Sequence, residues 1–163
     1  MSGAGAGTDV PAVREVGDLG GRGYTFEEIE VGMRAVSQSR VTDEHIRAFA
    51  EVSGDRNPVH LDEDFARQTP FRARISQGML TASYISAVFG THLPGPGAIY
   101  IAQSLRFKRP VWVDDAIRTI VTVTDTVPAK RRVRFHCECR NASDQIVLEG
   151  DAELMVPVRE PIQ

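Results

Sequence analysis

The chain has 163 residues, of which 42% are hydrophobic and 25% charged, a composition typical of one globular domain. Its formal net charge of −3 and pI of about 5.8 argue against nucleic acid or an anionic membrane as a partner. No apolar run approaches the roughly 20 residues that span a bilayer, and no secretory signal pattern opens the sequence, so a cytoplasmic protein is expected.

The chain begins with a segment rich in Gly, Ala and isolated charges. Residues 1–23 show no hydrophobic periodicity, which predicts a disordered tail. One folded domain is expected over 24–158, followed by a short C-terminal tail, 159–163. Within the domain, residues 33–41 are suited to a first strand. Thr42 can then cap a helix that ends at Gly54, and a shorter helix is expected over 62–68.

The segment 76–89 is apolar in nearly every direction around a helix, which predicts a helix buried on all sides. The pattern then changes to period two, with strands expected over 98–107, 116–127, 132–140 and 146–156. One buried helix among antiparallel strands predicts an α+β fold in which a curved antiparallel sheet wraps around the long central helix. Such a sheet leaves an edge strand unpaired, so a homodimer or higher homo-oligomer is expected.

A carboxylate and an imidazole, Asp55 and His60, lie five residues apart with Asn57-Pro58 between them. Proline interrupts a regular helix, so the two side chains can converge on one point and act as an acid–base pair on one water. Asn57 is expected to fix the turn through its side chain. A calcium loop starting at Asp55 is rejected, because its sixth and twelfth positions lack the required Gly and Glu. No metal site is predicted.

Gly78 is expected at the start of the buried helix, where free amide groups and the helix dipole favour negative charge. Its N–H is therefore the candidate oxyanion hole. Ser86 lies two helical turns further on and is a candidate supporting residue, although its hydroxyl could instead bond back to helix carbonyls. The pair Cys137 and Cys139 alternates with polar residues on one strand face, so core packing is favoured over zinc binding.

Three motifs together resemble the MaoC-like (R)-specific enoyl-CoA hydratases, which have the hot-dog fold: SGDRNPVHLD at 53–62, QGML at 77–80 and QSLRF at 103–107. The resemblance covers roughly residues 24–158. It implies hydration of trans-2-enoyl-CoA to (R)-3-hydroxyacyl-CoA, with Asp55 and His60 as catalytic dyad. It also implies a coenzyme A thioester as substrate, no metal or redox cofactor, and dimerisation. One position departs from the family, which usually has His where this chain has Gln77.

Further contacts to the substrate are expected from residues near these motifs. Gln77, Met79, Arg106 and Lys108 are the substrate-binding candidates, and Arg72, Arg74 and Arg109 join them as possible partners of the coenzyme A phosphates.

Two other functions stay open on the sequence. One is the reverse reaction on acyl carrier protein, a 3-hydroxyacyl dehydratase of fatty-acid synthesis. The other is a non-catalytic module that binds acyl thioesters. A thioesterase is disfavoured, because residues 76–90 contain no Asp or Glu.

Overall fold

The computed structural model describes residues 12–17 and 19–159. The described chain forms four helices, α1 (Asp43–Ser53), α2 (Pro58–Leu61), α3 (Glu63–Arg67) and α4 (Gly78–Thr91). It also forms seven strands, β1 (Arg14–Glu15), β2 (Met33–Arg40), β3 (Ile99–Gln103), β4 (Arg106–Phe107), β5 (Ala116–Val127), β6 (Arg132–Arg140) and β7 (Ile146–Met155). Two 3₁₀ turns, Phe26–Glu28 and Pro128–Lys130, complete the elements.

The strands form one sheet in the order β1-β2-β5-β6-β7-β3, with β4 also paired to β7. All pairs are antiparallel except β1 with β2. Period-two patterning gives β6 one buried face, with Val133, Phe135, Cys137 and Cys139, and one more exposed face. The α+β arrangement expected from the sequence is therefore present.

The core lies between the inner face of this sheet and α4, which packs against β2, β5 and β6. Phe89 on the helix contacts Phe135 on β6, with ring centroids 4.8 Å apart. Packing of large aromatic and aliphatic side chains across this layer fixes the position of α4. The start of α4, where the candidate oxyanion hole lies, is thereby held relative to the sheet.

The expectation that α4 is buried on all sides is wrong for this chain by itself. Met79 is 55% exposed, and Ser83, Ser86, Ala87 and Gly90 are also exposed. These residues form one stripe at helical spacing, and most of them are small. The sequence pattern counted Ala and Gly as apolar, although the sheet covers only the opposite side of the helix.

Three further boundaries differ from the sequence predictions. Strand 98–107 is split into β3 and β4, both paired with β7. Helix α2 is absent from the sequence predictions, because proline breaks a helix in its interior, whereas Pro58 occupies the start of α2, where proline is tolerated. Most of the two predicted tails, residues 1–11, 18 and 160–163, lies outside the described residues. In the described part of the N-terminal tail, β1 pairs with β2, so this part is not disordered.

Candidate functional site

The end of α1 and the start of α2 bring the predicted acid–base pair together. Gly54 ends α1 in the left-handed region, at φ 79°, which lets the chain turn away from the helix axis at Asp55. His60 follows on α2, and its Nε2 lies 3.8 Å from Asp55 Oδ2. This separation is too long for a direct hydrogen bond, but it allows both atoms to bind one water molecule.

The other ring nitrogen of His60 determines which form of the imidazole faces Asp55. Nδ1 lies 2.8 Å from the backbone carbonyl oxygen of Ile75. A carbonyl only accepts hydrogen bonds, so Nδ1 carries a proton and Nε2 is the ring nitrogen that faces Asp55. His60 is 8% exposed, whereas the Asp55 side chain is 46% exposed. The imidazole is thus buried and fixed by its hydrogen bond to Ile75, whereas the carboxylate is accessible to substrate.

Asn57 builds the turn between the two residues. Its Oδ1 accepts a hydrogen bond from the backbone N–H of Val59 at 3.2 Å, which caps α2. Its own backbone N–H donates to Asp55 Oδ1 at 3.2 Å. Asn57 therefore holds both the helix that carries His60 and the carboxylate of Asp55.

Gly78 is the first residue of α4, with Gln77 at the N-cap position. Amides in the first turn have no carbonyl partner within the helix, so they are suited to an anionic oxygen. The ring of Phe107 packs directly on Gly78. A Cβ at residue 78 would lie 2.6 Å from Phe107 Cε1, so any other residue would have to displace the ring or the start of the helix.

A cavity of about 480 Å³ opens beside these groups, and Asp55 and Gly78 both line it. Most of its wall is apolar, which suits an acyl chain. Most of this wall was not predicted from the sequence, because the residues concerned meet only in the fold and all of them except Phe107, which ends the motif at 103–107, lie outside the motifs. The missed lining residues are Phe71, Ile75, Thr81, Phe107, Pro110, Val111, Val147 and Leu148.

Met79 and Lys108, two of the predicted substrate contacts, line the cavity, as does Arg109. Lys108 Nζ lies 2.9 Å from Glu149 Oε1 and holds the pKa of that carboxyl below its usual range. Arg106 lies on β4 outside the cavity wall, close enough to Glu149 to act on the same carboxyl.

Gln77, a predicted substrate contact, is not among the described residues that line the cavity. Its side chain is 2% exposed, and its Nε2 donates to the Ile46 carbonyl oxygen at 3.0 Å. Among the described residues its Oε1 has no hydrogen-bond partner. Gln77, which stands where the family usually has His, therefore connects the start of α4 to α1.

Ser86 and two of the arginines also lie away from the cavity. Ser86 is on the exposed stripe of α4. Arg72 is exposed. The Arg74 side chain is 11% exposed, and its guanidinium is already bonded to Asp43 and to the His60 carbonyl. In the described ranges no group of three or more His, Cys, Asp or Glu is placed to hold a metal ion. No helix of the described chain has the length and hydropathy needed to cross a membrane.

Comparison with known proteins places this geometry in context. The family model of the MaoC like domain matches residues 25–143. A 3-hydroxybutyryl-CoA dehydratase of Methylorubrum extorquens is 46% identical over 83% of this chain and 85% of its own length. An (R)-specific enoyl-CoA hydratase of Rhodospirillum rubrum is 48% identical over 83% of this chain and 94% of its own. Two dehydratases of acyl-carrier-protein substrates are more distant, at 35% and 28% identity.

A solved structure of an R-hydratase has a similar fold. The unliganded R-hydratase PhaJ1 from Pseudomonas aeruginosa superposes with a TM-score of 0.80 and 41% identity. The alignment covers 86% of this chain and 96% of that structure. The structural similarity therefore extends over most of the chain.

Proposed function

The chain belongs to the family of MaoC-like domains and has their hot-dog fold, and from this premise we propose that it hydrates trans-2-enoyl-CoA to (R)-3-hydroxyacyl-CoA, reversibly. The observation that carries the proposal is the Asp55–His60 pair. Its Nε2 and Oδ2 lie 3.8 Å apart, and Asp55 shares an apolar cavity with the Gly78 amide. Relatives named for this chemistry at 46–48% identity support the substrate class.

Each group has a defined part in the proposed reaction. A water bound by Asp55 and His60 gives one proton to the neutral Nε2 as its oxygen attacks C3 of the enoyl thioester. The C2–C3 π electrons shift towards the thioester carbonyl, and the Gly78 N–H and helix dipole stabilise the enolate oxygen. His60 then returns the proton to C2, while Asp55 orients the water and stabilises the imidazolium.

Addition of water is redox neutral, and the helix amide supplies the polarisation of the carbonyl, so the proposed reaction uses no metal or redox cofactor.

Because His60 handles both the proton of the water and the C2 proton, H and OH add to the same face of the double bond. The cavity wall would hold the acyl chain, and Lys108 and Arg109 would face the polar end of the substrate.

The site is proposed to work in a homodimer or higher homo-oligomer. Strand β3 is an edge of the sheet, and its Ile99, Tyr100 and Ile101 are 50%, 39% and 43% exposed. Exposed apolar edges favour pairing with another chain, here a second copy.

The two free, buried cysteines fit a reducing compartment, so a cytoplasmic location is proposed.

Loss of the enoyl-thioester absorbance of crotonyl-CoA tests the proposal. Wild-type protein should consume it, and His60→Gln or Asp55→Asn should lower kcat by about 10²–10⁴-fold, since each removes a positioned proton-transfer group. His136→Gln is the matched control, because His136 lies on the more exposed face of β6 and pairs with Asp151 and Glu138. Activity that survives in His60→Gln would overturn the assignment.

The carrier group is tested separately. The same enoyl chain is presented on coenzyme A and on acyl carrier protein, and the product is resolved by chirality. A preference for coenzyme A and an (R) product are expected. A higher kcat/KM on the carrier protein would favour the dehydratase of fatty-acid synthesis, and binding without turnover of either would favour an acyl-thioester-binding module.

A further inference from the structure

We propose that Arg74 is a positioning residue that sets the orientation of the catalytic His60, a proposal that rests on the function proposed above. Helix α2 has four residues, and a helix this short is not stable by itself. Its geometry must therefore come from contacts with the rest of the chain. Arg74 supplies such a contact at His60, the residue whose orientation matters for catalysis. The sequence suggests a different role for Arg74, as a partner of the coenzyme A phosphates.

The segment 74–75 holds His60 from two sides. The Ile75 carbonyl accepts the ring Nδ1–H at 2.8 Å, and the Ile75 N–H donates to the Val59 carbonyl at 3.3 Å. Arg74 Nε donates to the His60 backbone carbonyl at 2.7 Å. This carbonyl lies in the last turn of α2, where helix carbonyls lack partners and favour a cation. Backbone and ring of His60 are thus fixed by adjacent residues.

The guanidinium is itself held at its other end. Arg74 Nη2 bonds to Asp43 Oδ1, and Asp43 Oδ2 accepts from Arg47 Nε at 2.9 Å. The bond from Arg74, and then that from Arg47, lower the pKa of Asp43, so this carboxylate stays charged at neutral pH. The Arg74 side chain is 11% exposed, so its contacts are better shielded from solvent than those of a surface pair.

Asp43 is the first residue of α1, and Asp55 follows the end of the same helix. The two members of the dyad are therefore tied to one element. Asp55 is joined to the C-terminal end of α1 through Gly54, and His60 is joined to its N-terminal end through Arg74 and Asp43. Arg74 thereby controls the 3.8 Å separation that lets both groups bind one water.

Substitution of Arg74 tests this role, with Arg47 as the matched control. Arg74→Gln should lower kcat for crotonyl-CoA by about 10²-fold with KM within about threefold, because a displacement of about 1 Å has an effect of this size. Arg74→Lys keeps the charge beside Asp43 but has no donor in the place of Nε to reach the His60 carbonyl, so it should fold normally and still lose most of kcat. Arg47→Gln removes the other partner of Asp43 without touching His60, and its kcat should stay at the wild-type level.

A second readout is independent of turnover. The side-chain ¹⁵N spectrum of His60, assigned by its loss in His60→Gln, should show protonated Nδ1 in wild type and a mixture of tautomers in Arg74→Gln. Added guanidinium should restore part of kcat in Arg74→Ala. The proposal is overturned if Arg74→Lys keeps wild-type kcat, if Arg47→Gln loses as much kcat as Arg74→Gln, or if the His60 spectrum is unchanged in Arg74→Gln and Arg74→Lys. A wild-type protein inactive on all thioesters would instead refute the proposed function, and the spectrum would still decide the role of Arg74.

Discussion

At the scale of single residues, the contact between Gly78 and Phe107 determines how the start of α4 meets the cavity. The absence of a side chain at residue 78 lets the aromatic ring lie against the helix backbone, next to the amide proposed to bind the thioester oxygen. Gly78 and Phe107 both line the cavity beside Asp55. A preorganised donor in such a site has a stronger effect than one in bulk solvent.

Gly78→Ala should therefore lower kcat by about 10²-fold, because the new Cβ would lie 2.6 Å from Phe107 Cε1 and must displace either the ring or the helix start. Steady-state kinetics with crotonyl-CoA measures the effect. The double variant Gly78→Ala with Phe107→Ala removes the clash and should recover part of the loss. Equal activity of the single and double variants would show that this contact is not the cause.

Residues whose partners are close in sequence could be assigned from the sequence, and the others could not. Asp55 and His60 are brought together by a local turn, so their spacing was informative. Gln77 and Arg74 were assigned to substrate because their partners, Ile46 and Asp43, lie 31 positions away in the chain. A polar side chain gives no sign in the sequence that it is committed to a distant carbonyl or carboxylate.

At the scale of elements, the regular strands and α1 followed from periodicity and caps. Predicted and observed bounds agree for β5 and β6, and the alternation of β6 leaves one register that buries its apolar face. The break between β3 and β4 was not visible, because it depends on how both pair with β7. The pairing of β1 was missed because a two-residue strand has no period.

The 3₁₀ turn Phe26–Glu28 gives a prediction on pH. Glu28 accepts from Arg22 through both carboxylate oxygens, at 2.9 and 3.0 Å, and from the Thr25 backbone N–H at 2.8 Å. The Arg22 hydrogen bonds, with the Thr25 contact next, lower the pKa of Glu28 to about 2. A carboxyl with a lowered folded-state pKa stabilises the native state above its ordinary pKa, and that contribution is lost as the pH falls towards the lowered value.

Glu28→Gln should therefore be less stable than wild type at pH 7, and the difference should shrink as the pH falls from about 4.5 towards about 2. Urea unfolding at several pH values measures both free energies. Glu30→Gln is the control, since the Glu30 side chain makes a long, exposed contact with Arg14. A difference between Glu28→Gln and wild type that does not change with pH would contradict the assignment.

At the scale of the whole molecule, the exposed edge β3 and the exposed stripe of α4 are the surfaces that one copy of the chain leaves uncovered. The sheet order could not be read from the sequence, although the presence of an unpaired edge could. Ile101→Lys should weaken the proposed association of two copies, because a charge on an edge strand opposes pairing with another strand.

Light scattering coupled to size exclusion measures the mass of wild type and Ile101→Lys. A dimer or larger assembly is expected for wild type, with a shift to smaller mass in the variant. Val52→Lys is the matched control, since Val52 is 88% exposed on α1, away from the edge. A monomeric wild type, or equal shifts in both variants, would contradict this arrangement.

The two buried thiols have a practical consequence. Cys137 and Cys139 are both free and fully buried, and burial raises their pKa values to about 12 and about 11. An alkylating reagent needs the exposed thiolate, so it reacts with this chain only after β6 opens. Labelling rates therefore report the opening of the sheet directly, and a cysteine introduced at the surface can carry a single probe with both native cysteines left in place.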